Sequence, residues 1–200
     1  MTLKRVEEQY RGLTYTWGRL DHPEETPFQV APGVWWLRFT MPGPLNHINL
    51  WLLEDGDGWT IVDTCLNLET AKAQWESLFD GFMGGKPVKR VICTHMHPDH
   101  IGLAGWLCER FACDLYMTQA EFLTGSLIMG YTGEQAPPAA ISFYHRAGFS
   151  TSQLDNYRDR FGGFGQFTTP LPHNYQRLTD RQTLALSLIH ISEPTRQEAI

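Results

Sequence analysis

Three histidines and an aspartate fall within six residues of the segment THMHPDHIG, which runs from Thr94 to Gly102. The segment follows the short apolar run VKRVICT, and behind it apolar residues recur at helical spacing. Loops between a buried strand and a helix are where open α/β sheets bind their ligands. This feature therefore favours a fold that holds a polar loop at the end of a sheet.

The residue types in this loop predict a metal site. In an extended loop, side chains two residues apart share a face, so His95 and His97 point the same way. Asp99 and His100 enter the first helical turn behind Pro98, where backbone N–H groups and the helix dipole favour a carboxylate. Imidazole and carboxylate are ligands of Zn²⁺. Four such ligands cannot comfortably surround one ion, so the loop predicts two ions bridged by a hydroxide.

The rest of the chain predicts an α/β domain. A β-rich opening is followed by a helix and a buried strand, and the middle of the chain is helical. The predicted strands are Gly33–Thr40, Ile48–Asp55, Gly58–Cys65, Val88–Thr94, Asp114–Met117 and one within Leu178–Leu186. The predicted helices are one before Gly84, one from about Asp99 to Phe111, and three helical stretches between about 118 and 161.

Charge and hydropathy narrow the class of function. The net charge of -6 is spread along the chain without a Lys/Arg cluster, which argues against nucleic acid as a partner. No window approaches the roughly 20 apolar residues of a membrane span, and the start has no signal-peptide run. The four cysteines form no C-x-x-C pair and are predicted to be reduced core thiols. We therefore expect a cytoplasmic protein with a small-molecule substrate, no membrane partner and an oligomeric state that the sequence does not set.

The H-x-H-x-D-H pattern behind an apolar strand, preceded by IVDT at Ile61 to Thr64, resembles the metallo-β-lactamase superfamily of metal-dependent hydrolases. The likeness extends over about residues 27–185. It implies an α/β (α+β) fold of the αββα type, with a dinuclear site at one edge of two packed sheets. Zinc is the expected metal, with Fe or Mn as alternatives.

The resemblance also implies a role for each loop residue. His95 and His97 match the ligands of the first metal, and Asp99 and His100 match those of the second. Asp63 matches an aspartate that orients the ligands without touching metal. Cys65 stands where the family usually has glycine, which raises the question of a positive φ at that position.

A dinuclear site of this family needs three more ligands, namely a third histidine, a bridging aspartate and a last histidine. We do not find them in this sequence, and His173 precedes the predicted strand in a setting more typical of a surface loop. The segment LSLIHISEPTR, Leu186 to Arg196, matches an in-frame translation of a transposon-end adapter used in sequencing libraries. We therefore expect a sandwich truncated after roughly the first half to two-thirds. Its parts are an N-terminal extension (1–26), an incomplete domain (27–185) with a helical insert (about 118–161), and an artefactual tail (186–200).

The expected activity is hydrolysis of an ester, thioester, lactone or amide, with metal-bound hydroxide attacking the carbonyl and Asp99 as the catalytic side chain. The truncated chain itself is expected to be inactive. Two alternatives stay open: a mononuclear iron dioxygenase of the same fold that acts on a thiol-derived substrate, and a non-catalytic fragment of the fold.

Overall fold

A computed structural model describes residues 8–15, 26–186 and 189–192 of the chain. Its strands are β1 (Glu8–Tyr10), β2 (Leu13–Tyr15), β3 (Phe28–Ala31), β4 (Val34–Thr40), β5 (His47–Asp55), β6 (Gly58–Val62), β7 (Val88–Ile92), β8 (Asp114–Thr118), β9 (Gln176–Leu178), β10 (Thr183–Leu186) and β11 (Ile189–Ser192). Its helices are α1 (Glu69–Asp80), α2 (Pro98–Ile101), α3 (Ala104–Phe111), α4 (Gln119–Gly130), α5 (Pro138–Arg146) and α6 (Thr151–Arg160), followed by a 3-10 turn at Phe164–Phe167.

Seven strands form one mixed sheet in the order β3-β4-β5-β6-β7-β8-β9. The strands from β3 to β6 pair antiparallel, and those from β6 to β9 pair parallel. Antiparallel neighbours need only a tight turn, and Gly56 supplies the positive φ of 66° in the β5–β6 turn. Parallel neighbours need crossovers, which the helices between β6 and β9 provide. The predicted α/β order is confirmed.

The core lies between this sheet and the helices α1 and α3. Trp75 of α1 is fully buried, with its ring 4.9 Å from that of Phe39 on β4. Phe79 of α1 meets Phe111 of α3 at 4.9 Å, so the two helices pack on each other as well as on the sheet. The alternate strand residues on this face are fully buried, namely Leu50, Leu52, Ile61, Val91 and Leu115.

Large side chains on the opposite face of the sheet are only half-buried. The strand register aligns them in one row across five strands: Trp36, Trp51, Val62, Ile92 and Tyr116. This face is where the αββα arrangement expected from the sequence places a second sheet. Within the described residues the only other sheets are two-stranded, β1–β2 and β10–β11. The described region is thus one sheet of the fold with its helical layer.

The three helical stretches predicted between about 118 and 161 are confirmed as α4, α5 and α6. The division into an extension, an incomplete domain, an insert and a tail stays a prediction. Residues 1–7, 16–25, 187–188 and 193–200, which include most of the predicted extension and tail, lie outside the described region. Among the described residues, no helix is long and apolar enough to cross a bilayer.

The predicted helix from about Asp99 to Phe111 is two helices, because Gly102 and Leu103 interrupt it. Thr64, which follows β6, causes the break. Its backbone N–H and its hydroxyl both donate to the carbonyl of His100, at 2.9 and 2.8 Å. Its Oγ1 also accepts the N–H of Leu103 at 3.0 Å. These contacts from a distant loop satisfy the backbone groups at the break, which local sequence patterns do not reveal.

Gly105, in the first turn of α3, allows the chain near Pro170 to approach the helix. A Cβ at this position would lie 1.8 Å from the carbonyl oxygen of Pro170. We therefore expect Gly105→Ala to lower the free energy of unfolding by about 1–3 kcal/mol, as overpacking does. Gly130→Ala is the matched control, because its Cβ would meet nothing within 4 Å. That change should stabilise by about 0.5 kcal/mol. Urea denaturation measures the free energy of unfolding of both variants. Equal changes in the two variants would contradict the close approach of the chain at Gly105.

Candidate metal centre

The site forms where the parallel strands β6 and β7 end side by side. Asp63 follows β6 and donates its backbone N–H to the carbonyl of Ile92 at the end of β7, at 2.8 Å. The loop from Thr94 to His97 then leads into α2 behind Pro98. Because the carboxyl ends of parallel strands share one sheet edge, Asp63 lies directly under this loop.

The Asp63 carboxylate anchors the loop. Its Oδ1 accepts the backbone N–H of Thr94 at 2.8 Å, and its Oδ2 accepts the Thr94 hydroxyl at 2.8 Å. Oδ2 also lies 2.8 Å from Nδ1 of His100. Asp63 is only 4% exposed and has a φ of 61°, so it is held in a strained left-handed conformation. These contacts agree with the orienting role predicted for it.

Three imidazole rings meet above this anchor. The ring centroid of His95 lies 3.9 Å from that of His100 and 4.7 Å from that of His97. Nδ1 of His95 is 3.0 Å from the hydroxyl of Thr94, and its Nε2 is 2.9 Å from Nδ1 of His97. Thr94 thus contacts Nδ1 of His95, and Asp63 contacts Nδ1 of His100. Nε2 is therefore the nitrogen of each ring that a metal could bind in place of its present contact with His97 or Asp99.

The pKa values of two of these histidines move in opposite directions. Burial lowers the pKa of His95, and the charges of His100 and His97 lower it further. Burial also acts against the charged form of His100. There it is outweighed by the hydrogen bond and charge of Asp63 and by the charge of Asp99, so the pKa of His100 is raised. A neutral His95 suits a metal ligand, whereas His100 must lose its proton to bind.

Asp99 completes the predicted set. Its Oδ2 lies 3.4 Å from Nε2 of His100, and its side chain is one-quarter exposed. The carboxylate is therefore next to the one nitrogen of His100 that Asp63 does not occupy. The structure brings together all four residues predicted as ligands, His95, His97, Asp99 and His100.

The donor set fits zinc. Two nitrogens bound to one tetrahedral Zn²⁺ at about 2.0–2.1 Å lie roughly 3.3 Å apart. The 2.9 Å between Nε2 of His95 and Nδ1 of His97 is close to that separation. Across the described residues, no three donors already form a group that could hold an ion. The two nitrogens instead share a hydrogen bond, and ring rotations would have to turn them toward a common metal.

His173 is exposed on the loop before β9. In the part of the chain that the structure describes, no hydrogen bond or ring contact links it to the four loop residues. It lies on the surface, which is the setting that the sequence predicts for it.

Two supporting residues, Thr94 and Trp75, have roles that the sequence did not indicate. Thr94 bridges Asp63 and His95 through its hydroxyl. The indole N–H of Trp75 donates to the carbonyl of Thr64 at 3.0 Å and so ties the helical core to the loop beside Asp63. Cys65, which stands where the family usually has glycine, has a φ of 74°. The backbone thus has a positive φ there, and a non-glycine residue adopts it.

Burial of the cysteines agrees with the sequence analysis for three of the four. Cys65, Cys93 and Cys108 are buried and Cys113 is half-buried, and all are free thiols. Burial raises the pKa of Cys65 to about 12 and that of Cys93 well above its ordinary value. These two thiols are therefore protonated core residues at neutral pH.

Comparison with known proteins gives consistent matches. The family model of the metallo-beta-lactamase superfamily matches residues 43–175. A beta-lactamase domain protein from Burkholderia ambifaria has a TM-score of 0.74 at 34% identity, covering 88% of this chain and 51% of that one. A metallo-beta-lactamase family protein from Thermus thermophilus has a TM-score of 0.64 at 25% identity, covering 82% and 52%. The probable metallo-hydrolase YybB of Bacillus subtilis (strain 168) is 34% identical over 94 residues, which are 46% of this chain and 40% of YybB. The chain thus spans about half the length of these structures.

Proposed function

The chain belongs to the metallo-β-lactamase superfamily, and on that premise we propose that the complete protein is a metal-dependent hydrolase of an ester, thioester, lactone or amide. One observation carries the proposal. His95, His97, Asp99 and His100 converge on one loop, and Asp63 fixes that loop from below. Such a cluster of imidazoles and carboxylates is the donor set of a hydrolytic zinc site.

In this proposal each residue has a defined task. Nε2 of His95 and Nδ1 of His97 hold the first ion, and Asp99 with Nε2 of His100 holds the second. Bound zinc supplies a water nucleophile at neutral pH and stabilises the charge that develops on the carbonyl oxygen. Asp99 orients the attacking water and accepts its proton on a carboxylate oxygen. Asp63 keeps the proton of His100 on Nδ1, away from the metal side.

The three remaining ligands of the family site are part of the proposal for the complete protein. We expect the chain of 200 residues to hold metal weakly and to turn over little substrate. Imidazole and carboxylate also accept Fe and Mn, so the metal has to be identified by measurement.

Elemental analysis of two polypeptides tests the proposal. One is the chain of 200 residues, and the other is the product of the same gene read onward from the codon of Ala185. We expect two zinc ions per molecule in the longer product, with hydrolysis of an aryl ester, thioester, lactone or amide from a panel. In the shorter chain we expect a weakly held ion or none.

Three other outcomes would contradict parts of this proposal. Absence of metal from both polypeptides would overturn the hydrolase assignment. Two tightly held ions in the shorter chain would show that it already contains a complete ligand set. One iron per molecule, with oxygen uptake in the presence of a thiol, would favour the dioxygenase instead.

A further inference from the structure

The start of helix α4 has the sequence of a capping box but does not form one. Thr118-Gln119-Ala120-Glu121 has the T-x-x-E pattern, in which the two side chains satisfy each other's backbone N–H groups. Thr118 is the N-cap residue, yet its side chain makes no capping hydrogen bond. In the described part of the chain, its buried hydroxyl has no hydrogen-bond partner. Thr118 and Glu121 therefore do not make the capping hydrogen bonds that the sequence predicts.

Helix α6 shows that this chain can form such a box. Ser150 and Gln153 occupy the same two positions there and make both hydrogen bonds. The N–H of Ser150 donates to Oε1 of Gln153 at 2.8 Å, and the N–H of Gln153 donates to Oγ of Ser150 at 3.4 Å. The difference at α4 therefore has a cause outside the helix.

Glu121 instead contacts the loop from Thr94 to His97. Oε2 of Glu121 accepts the backbone N–H of Met96 at 3.0 Å, and Met96 stands between His95 and His97. One turn further along α4, a Cβ on Gly125 would lie 3.4 Å from Cβ of Met96. The helix therefore lies directly against the loop, and the carboxylate of Glu121 makes the polar contact between them.

We propose that Glu121 is a positioning residue of the metal centre, which holds the backbone between His95 and His97 from the side of the helical segment. This inference rests on the proposed function and extends it. Asp63 fixes the N–H of Thr94, and Glu121 fixes the N–H of Met96, so two carboxylates from different elements hold alternate residues of the loop. Hydrogen bonds from N–H groups to carboxylates are among the stronger ones in proteins. The start of α4 lacks its capping box and has this contact instead. Departures from local sequence rules of this kind are expected at functional sites.

Three variants test the role of Glu121. Glu121→Ala removes the acceptor, Glu121→Gln keeps an acceptor oxygen without the charge, and Thr118→Val is the matched control at the same helix start. Amide hydrogen exchange is measured on the metal-free chain of 200 residues. We expect exchange at residues 94–97 to be about 10-fold faster in Glu121→Ala, less changed in Glu121→Gln and unchanged in Thr118→Val. Unchanged exchange in Glu121→Ala would overturn the proposal. So would acceleration that extends equally into β7, because it would show a general loss of stability.

Cobalt binding gives the second measurement. The affinity for Co²⁺, followed by its visible absorption, should fall about 10-fold in Glu121→Ala and recover for the most part in Glu121→Gln. Equal affinities in all variants would overturn the positioning role. If the chain of 200 residues binds no cobalt, the affinities are compared in the longer product read onward from the codon of Ala185. Absence of cobalt binding there would overturn the proposed function, while the exchange measurement still decides whether Glu121 holds the loop.

Discussion

Replacing His95 or His97 with alanine is expected to lower the zinc affinity of the complete protein by more than about 100-fold. Loss of residues that only orient a ligand costs roughly 10–100-fold in metal affinity, and loss of a ligand costs more. Nε2 of His95 and Nδ1 of His97 lie 2.9 Å apart, so each variant removes one of the two nitrogens proposed to bind the first ion. Competition with a chromophoric chelator at fixed pH measures the effect, since protons compete for the same nitrogens.

Two exposed histidines serve as controls for this prediction. His145 lies on α5 and His173 on the loop before β9, so His145→Ala and His173→Ala should leave the affinity unchanged. A loss in His173→Ala as large as that in His95→Ala would identify His173 as the third ligand after all. Unchanged affinity in both His95→Ala and His97→Ala would show that zinc binds elsewhere in the chain.

The positions of the proposed ligands were predictable because the signal is local. His95, His97, Asp99 and His100 lie within six residues, and an apolar run and a helical pattern flank them. The strand and the helix that present such a loop are recognised from hydrophobic periodicity alone. Their convergence in the structure follows from the position of the loop at the end of β7.

The supporting contacts were not predictable, because they join residues far apart in the chain. Glu121 lies 25 positions from Met96, and its T-x-x-E setting indicates a helix cap rather than a contact with the loop. Thr64 ends α2 through contacts with His100 and Leu103, 36 and 39 positions away. Hydrophobic periodicity therefore predicts one continuous helix from Asp99 to Phe111. The residue that interrupts it, Thr64, lies outside that segment.

The short strand β9, Gln176–Leu178, was missed for a similar reason. Its three residues are too few to show an alternating pattern, and two of them are exposed. It pairs parallel with β8, and the helices α4, α5 and α6 lie between the two strands in the sequence. The strand therefore forms only if this helical segment brings the chain back to the edge of the sheet. The Phe122–Tyr175 stack, at 3.9 Å between centroids, supports this return.

Two substitutions of Asp63 should separate its contribution to stability from its contribution to metal binding. Asp63→Ala leaves the N–H of Thr94 and Nδ1 of His100 without their acceptor at a site that is 4% exposed. Removal of one partner from a buried charged pair costs about 3–5 kcal/mol, so we expect a loss of that size in the free energy of unfolding. Urea denaturation of the metal-free chain measures it, and a loss below about 1 kcal/mol would contradict the anchoring role.

Asp63→Asn should destabilise less and still impair the site. The amide oxygen continues to accept from Thr94, but the amide NH₂ now faces Nδ1 of His100 and donates to it. The proton of His100 then moves to Nε2, the nitrogen beside Asp99, and blocks it as a ligand. In the complete protein we expect roughly 10–100-fold weaker binding of the second metal, with most of the stability retained. Equal zinc affinity in Asp63→Asn and the unchanged chain would contradict this tautomer argument.

The same variant should alter the pH dependence of stability in the metal-free chain. The pKa of His100 is raised above its ordinary value of 6.5, so the stabilisation from its pair with Asp63 is fully present below 6.5 and is lost as the pH rises through the raised pKa. The lowered pKa of His95 works in the opposite direction, because that ring resists protonation in the fold. The difference between the unchanged chain and Asp63→Asn reports the interactions of Asp63 with both rings, because its charge raises the pKa of His95 as well as that of His100. Thermal unfolding between about pH 5 and 8 should therefore show a difference in midpoint that shrinks toward high pH. A difference that grows toward high pH would show that the pair is not charged below neutrality.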